Sequence, residues 1–451
     1  MANEGSADLP KPDVAIGMLD GLPISGFQIA LLVMTGMAVV FDGIDNQIIG
    51  LAAPSLISEW RISTNALGLI FGAGFAGMVL GTLIGGWIGD RFGRRSALLA
   101  GIIAFGAATF ATGFTQSVTE IAVLRMIAGL GLGGVPGTAA ALIAEYMPSK
   151  YRPAAVSFGI ICVAIGGIIG GFAASVILPS LGWRWFFYIG GALPLCATVL
   201  FYWGLPESPS FLLSRPHRRS ELLRILERVG HPDPQGAISR IPPETHVYAP
   251  IADLFSPNIR RDTLALCAAL FFGLFLIYSM FNWAPTLLFS NGFALPQTHA
   301  GLTAFNIGGV IGSIATGFAM TRFGSRPVLA LLGSMAALIC IGLALSPLSP
   351  DYAKPLLFAL FVFGLTGSSV QSTIYAVASN AFPTRLRARG IGLMAGAGRL
   401  GAVFSAIGGA TLVDHGGSAF FGALAVVLIL EAIFLACVRN HIRAAHLRPA
   451  P

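Results

Sequence analysis

Mostly apolar runs of roughly 18 residues or more, each long enough to cross a hydrocarbon core of about 30 Å, follow one another along nearly the whole chain. The pattern predicts membrane-spanning helices over residues 26–50, 65–89, 96–116, 119–144, 153–178 and 183–204, then 263–289, 298–320, 327–346, 355–379, 388–412 and 418–438. Between the two groups of six, residues 205–262 are polar, rich in Arg and Pro, and form the single long loop. The domain plan is therefore a tail over 1–25, a six-helix bundle over 26–204, the loop 205–262, a second bundle over 263–438 and a tail over 439–451.

The two bundles repeat one another. Sliding the chain by about 231 to 235 positions aligns Ala53-Pro54-Ser55-Leu56 with Ala284-Pro285-Thr286-Leu287, and GWIGDRFGRR from Gly86 with GFAMTRFGSR from Gly317. It also aligns Gly129 with Gly364, and MPSKYR from Met147 with FPTRLR from Phe382. Four landmarks in order predict an all-α membrane protein of twelve transmembrane helices, in two six-helix halves related by an axis along the membrane normal.

Composition narrows this further. Only 10% of the 451 residues are charged, against about a quarter in an ordinary soluble domain. The net charge of +7 would suggest nucleic acid, but the basic residues gather on one side. Of 27, 22 fall on the face shared by both termini, from Lys11 to Arg448; Arg61, Arg184 and Lys354 fall on the other, and Arg125 and Arg399 lie within spans. The positive-inside rule puts both termini in the cytoplasm, with a lipid bilayer and no nucleic acid as the surroundings. All five cysteines fall inside apolar spans and read as small buried hydrophobes. A single basic residue in the first 22 and a long first span argue against a cleavable signal peptide.

GDRFGRR between spans 2 and 3 and LRMIAGLGLGG from Leu124 resemble the signatures of the major facilitator superfamily. The resemblance implies a secondary transporter, with a central cavity lined by spans 1, 4, 7 and 10 that opens alternately to each side. FDGIDNQ from Phe41 and PTRLRARGIGLMAGAGRLGA from Pro383 further resemble the aromatic acid:proton symporter family. Two positions depart from that pattern: Ile44 stands where an aromatic residue is usual, and Ser210 where an arginine is usual.

Asp42 and Asp45 sit inside the first apolar span, where a charged carboxylate costs roughly 2.5 to 3.5 kcal/mol. Three residues apart on a helix they share a face, so ionising one opposes ionising the other, and a proton held between them is what a proton-coupled carrier needs. The other reading makes them caps of a helix broken at Gly43. Arg125 lies about as deep from the outer end of span 4 as Asp45 does in span 1, so the two can meet. A guanidinium so placed either exchanges its carboxylate for that of a substrate or merely ties two helices together. Arg399 in span 11 is the second candidate for the substrate anion, or else a packing arginine bonded to carbonyls.

Phe271, Phe275, Tyr278 and Asn282 make a helical stripe on span 7 beside Trp283, and Ser368, Gln371 and Tyr375 do likewise on span 10. Such stripes serve packing or a site. The candidate substrate pocket is Phe275, Tyr278, Asn282, Trp283, Gln371 and Tyr375, an aromatic slot with polar tips that suits a small planar acid. Asp90, Arg94, Glu145, Arg152 and Arg385 lie at loop ends. They form an ordinary solvated face, or, as the resemblance implies, ion pairs that gate the cytoplasmic side.

Other classes fit less well. Gly166 to Gly171 lacks the proline usual in drug antiporters, and spans 5, 7, 8 and 10 lack the many amides of a sugar carrier. A membrane metalloenzyme would need histidine or carboxylate clusters, whereas the seven histidines, His299 among them, read as loop or tail residues. A carrier of another small organic acid, or a sensor of the same fold that does not transport, stays open. The expectation is a monomeric, cofactor-free importer in the bacterial inner membrane, carrying an aromatic monocarboxylate with protons.

Overall fold

The computed structural model describes residues 18–20, 22–239, 250–383, 385–442 and 444. Most of both tails, with Lys11, Arg443 and Arg448, and the stretch 240–249 of the central loop lie outside the described residues. Among the described residues, twelve helices are long and apolar enough to cross a membrane. They are α1 (Gly26–Trp60), α2 (Thr64–Phe92), α3 (Arg94–Thr112), α4 (Val118–Tyr146), α5 (Arg152–Leu181) and α6 (Trp183–Gly204). In the second half come α7 (Arg260–Ser290), α8 (Leu295–Phe323), α9 (Ser325–Leu345), α10 (Pro350–Ala381), α11 (Arg387–Asp414) and α12 (Gly417–Cys437). An even number of crossings leaves the start of α1 and the end of α12 on one face, called here the terminal face.

The first helix begins at a capping box: Ser25 Oγ accepts from the Gln28 amide, and the Gln28 side chain accepts from the Ser25 amide. It runs through Pro54 to Trp60 instead of ending near Gly50, and α7 likewise runs through Pro285. The APSL and APTL landmarks thus lie inside helices. Arg61, with φ of 51°, turns the chain left-handed after α1.

The repeat is physical as well as textual. A Cβ on Gly129 would stand 2.1 Å from the carbonyl oxygen of Gly74, and one on Gly364 would stand 1.9 Å from that of Phe305. Helix α4 therefore lies directly on the backbone of α2, and α10 on that of α8, through equivalent residues. In α10 the close approach coincides with a π-helical turn over Gly364–Ser368.

Contacts between the halves concentrate away from the terminal face. Gly50 of α1 lies on the backbone of Phe281 and Asn282, Gly68 of α2 lies on the Ala406 carbonyl of α11, and Thr64 donates to Asp414 at 2.9 Å. Gln47 and Asn306 bond each other through their amides, one bond at 2.9 Å and the other at 3.3 Å. His299, which the sequence reading put in a loop, is fully buried in α8, and its Nε2 meets the Leu51 carbonyl at 3.2 Å. The helix starts at Leu295, and the face on which His299 stands is turned to α1, which takes the histidine into the interface. The cysteines also divide: Cys162 and Cys340 are buried, whereas Cys196 is exposed on the outer surface of α6.

Candidate functional site

Three helices place charge around the cavity. Asp42 and Asp45 lie on one stretch of α1, both buried, and the helix is continuous through Gly43. A Cβ on Gly43 would stand 2.2 Å from the Val163 carbonyl, so that glycine admits α5 rather than breaking α1. Arg125 projects from α4, also buried. Its Nη1 donates to Asp45 Oδ2 at 3.2 Å, and its Nη2 donates to Thr109 Oγ1 at 2.6 Å and reaches Thr112 Oγ1 at 3.4 Å. Thr109 in turn donates to the other Asp45 oxygen. The guanidinium carbon lies 5.5 Å from the centre of the Phe187 ring. Arg125 Nε has no partner, so the guanidinium keeps an unused donor.

Asp42 is held differently. Asn46, one turn on, donates to its Oδ2 at 3.1 Å, while Oδ1 is unpartnered. Arg399 of α11 is close enough to Asp42 for their charges to interact, but its hydrogen bond goes to the Tyr278 hydroxyl at 3.2 Å. The two arginines are therefore held differently, Arg125 by a carboxylate and Arg399 by a phenol hydroxyl.

Asp45, Asn46, Arg125 and Asn282 supply the polar part of the wall of a cavity of about 330 Å³, counted with its open mouth; Phe71 and Phe75 of α2 are among its apolar wall. Tyr278 stacks edge-on against Phe75 at 4.6 Å, and Trp283 against Phe71 at 5.0 Å, so both stand behind the aromatic wall. Trp283 donates its indole N–H to the Ser405 carbonyl. Phe275 faces Gly408 of α11. Gln371 and Tyr375 of α10 lie outside this cavity, with both polar atoms of the buried Gln371 unpartnered.

Thr109, Thr112 and Asn46 were not singled out in the sequence. Small hydroxyls in AATFAT look like helix filler, and only the third helix's approach to Asp45 gives them a role. Asn46, in DGIDN, follows directly on the second aspartate and was legible as a partner one turn after the first.

Three ion pairs among the described residues of the terminal face lie within one half and its loops. Arg94 pairs with Glu145, Arg152 with Asp20 at 3.7 Å, and Arg385 with Asp253 at 3.6 Å. Asp90 is exposed. Glu145 also accepts from Ser208 and from the Ser210 amide, binding the start of the central loop to α4. Beside it, Glu207 accepts the amides of Arg95 at 3.1 Å and Ser208 at 2.9 Å; its burial outweighs those bonds and raises its pKa above the usual carboxylate value. Gly93, at φ of 100°, makes room for it, since a Cβ there would stand 2.1 Å from Glu207 Oε2. Among the described residues no group of three His, Cys, Asp or Glu side chains is placed to hold a metal ion.

Twelve spans in two repeated halves around a polar cavity define a secondary-transporter architecture, and comparison with known proteins agrees. The family model for the Major Facilitator Superfamily matches residues 35–406 and 290–451. The gallate transporter of Pseudomonas putida is 34% identical over 87% of this chain and 88% of its own. The 4-hydroxybenzoate transporter PcaK of Acinetobacter baylyi is 31% identical over 96% of this chain and 94% of its own. Among solved structures, a D-xylose-proton symporter superposes with a TM-score of 0.71 at 16% identity, over 92% of this chain and 99% of that one. This chain belongs to the major facilitator superfamily and, within it, to the family of aromatic acid transporters.

Proposed function

We propose that the protein imports an aromatic monocarboxylate of the benzoate or hydroxybenzoate kind together with protons, across the bacterial inner membrane, with both termini in the cytoplasm. The observation that carries this reading is the Arg125–Asp45 pair on the cavity wall. A buried arginine with one carboxylate partner and a spare donor can accept a second carboxylate, and a substrate anion arriving there competes for the charge that balances Asp45. Protonation of Asp45 releases Arg125 for the substrate, which couples the two ligands through one ion pair. The aromatic wall of Phe71 and Phe75 suits a planar ring, and the relatives' names supply the same chemical class.

Purified protein in liposomes, given labelled 4-hydroxybenzoate, gallate or benzoate, should accumulate at least one of them uphill when the lumen is made alkaline. Equilibration without accumulation would leave a carrier but remove the proton coupling. Failure to move any of the three would remove the substrate class.

A further inference from the structure

Deep in the second half, away from the cavity, a carboxyl group has no counter-ion among the described residues. Glu431 of α12 is 1% exposed, and its Oε1 has no hydrogen-bond partner. The buried Gln371 of α10 is unpartnered at both Oε1 and Nε2. Both side chains converge on Gly273 of α7, where an added Cβ would stand 1.9 Å from Gln371 Oε1 and 2.7 Å from Glu431 Oε1. Two acceptor oxygens crowd one small space, and no donor stands between them.

The charged and titratable groups on neighbouring helices do not resolve this. Arg261 of α7 donates to the Cys437 carbonyl, and Asp262 accepts the amides of Arg439 and Asn440. Arg399 of α11 is bonded to Tyr278. Arg326 of α9 lies at the terminal-face end of that helix, and Tyr375 of α10 is a neutral phenol. A charged Glu431 would have no cation beside it among the described residues, whereas a protonated one has a donor for the oxygen it faces.

The repeat gives the place a meaning. Advancing Asp42 by the spacing that carries Pro54 onto Pro285 arrives at Gly273. Where the first half carries an aspartate on its own helix, the second half leaves a gap and fills it with a carboxyl from α12 and an amide from α10.

We propose that Glu431 is a second intramembrane proton-binding site, its carboxyl O–H donating to Gln371 Oε1, and that it loads and releases its proton as α7, α10 and α12 shift against one another. The proposal extends the proton-coupled reading given above, but it is tested without substrate. Infrared spectra of the protein reconstituted in lipid, titrated with pH, should show a carbonyl-stretch band of a protonated carboxyl that is absent in Glu431→Gln and kept in Asp42→Asn and Asp45→Asn. The band should fade as the medium is made alkaline. In Gln371→Leu, which removes the acceptor, it should move to the frequency of an unbonded acid; this second variant serves if Glu431→Gln fails to fold. A spectrum unchanged in Glu431→Gln would overturn the proposal by showing an ionised Glu431, bonded to a Gln371 amide turned the other way, and a band unmoved in Gln371→Leu would overturn the assigned hydrogen bond. A band that persists at every pH reached would overturn loading and release. Loss of proton-driven uptake in the liposome assay would leave each of these results standing.

Discussion

Arg125 gives one guanidinium nitrogen to Asp45 and the other to two threonines of α3, so a single arginine ties together three helices of the first half. The charge that fixes the bundle is also the one exposed to the cavity. Asp45→Asn should therefore abolish proton-driven uptake while counterflow exchange survives. Breaking a buried pair costs about 3–5 kcal/mol, so the variant should also melt at lower temperature. Asp45→Asn combined with Arg125→Gln should recover melting without recovering uptake. Wild-type uptake by Asp45→Asn vesicles would remove Asp45 from coupling.

Which arginine holds the substrate carboxylate can be separated by the chemistry of the ligand. Arg125→Lys replaces a planar fork by a point charge and should weaken binding of the acid severalfold, but scarcely change binding of the corresponding amide. Arg399→Lys should disturb both ligands alike if its work is to hold Tyr278 behind Phe75. The opposite pattern, with discrimination lost only at Arg399, would move the anion site to α11.

Transport should follow the outside pH through the aspartates and not through the substrate. An aromatic acid with a pKa near that of Glu, about 4.3, loses its neutral form tenfold per pH unit near neutrality, so a carrier of the neutral acid would show that slope throughout. A plateau at acid pH followed by a decline is expected instead. Asp42→Asn removes the neighbouring negative charge and should start the decline at lower pH. An identical tenfold slope in both proteins, after subtracting entry into empty vesicles, would assign the two carboxylates to packing.

The boundary between the halves gives a mechanical prediction. Gly50→Ala puts a methyl against the Phe281 backbone, which cannot yield as a side chain could. The side away from the termini should then fail to close. With the five native cysteines replaced, an Ile49→Cys probe on the cavity wall should react faster with an impermeant thiol reagent from that side when Gly50 is Ala. Equal rates would show that this contact does not seal the cavity.

At the terminal face, Glu207 gives a pH dependence of stability with a definite sign. Its ordinary value of 4.5 is raised by burial in the folded protein, so the folded state keeps the proton longer than the unfolded one. The melting temperature should fall as pH rises from about 4.5 through the ionisation of the folded group. Glu207→Gln should fall less steeply than the wild type over the same interval, and a variant curve as steep as the wild type's would contradict the burial argument.

The spans, the repeat and the Asp45–Arg125 meeting were legible because each is written in local spacing: apolar length, a constant offset, and matched depths in two helices. What resisted reading depends on helix rotation. Phe275 and Asn282 share a stripe, yet Phe275 faces α11 and Asn282 faces the cavity, because α7 packs against several helices at once. His299 was misplaced since one polar residue near a span end looks the same whether it faces water or a neighbouring helix. Glu431 was passed over for the same reason, as a lone carboxylate in α12 shows no partner until α7 and α10 are brought beside it.

Gly129 on Gly74 and Gly364 on Phe305 have a consequence for how force travels through the molecule. Backbones in direct contact leave little compliance within a half, whereas between the halves the close approach of Gly50 to Phe281 is accompanied by contacts through Gln47, Asn306, Thr64 and Asp414 that can lengthen or be exchanged for water. The softest deformation is then a tilt of one half against the other, and the internal packing hardly enters its energy. Substitutions that soften one bundle should slow folding or insertion yet leave the tilt alone. Substitutions in the thin seam should do the reverse, changing the balance between the two open forms in a protein that melts as before.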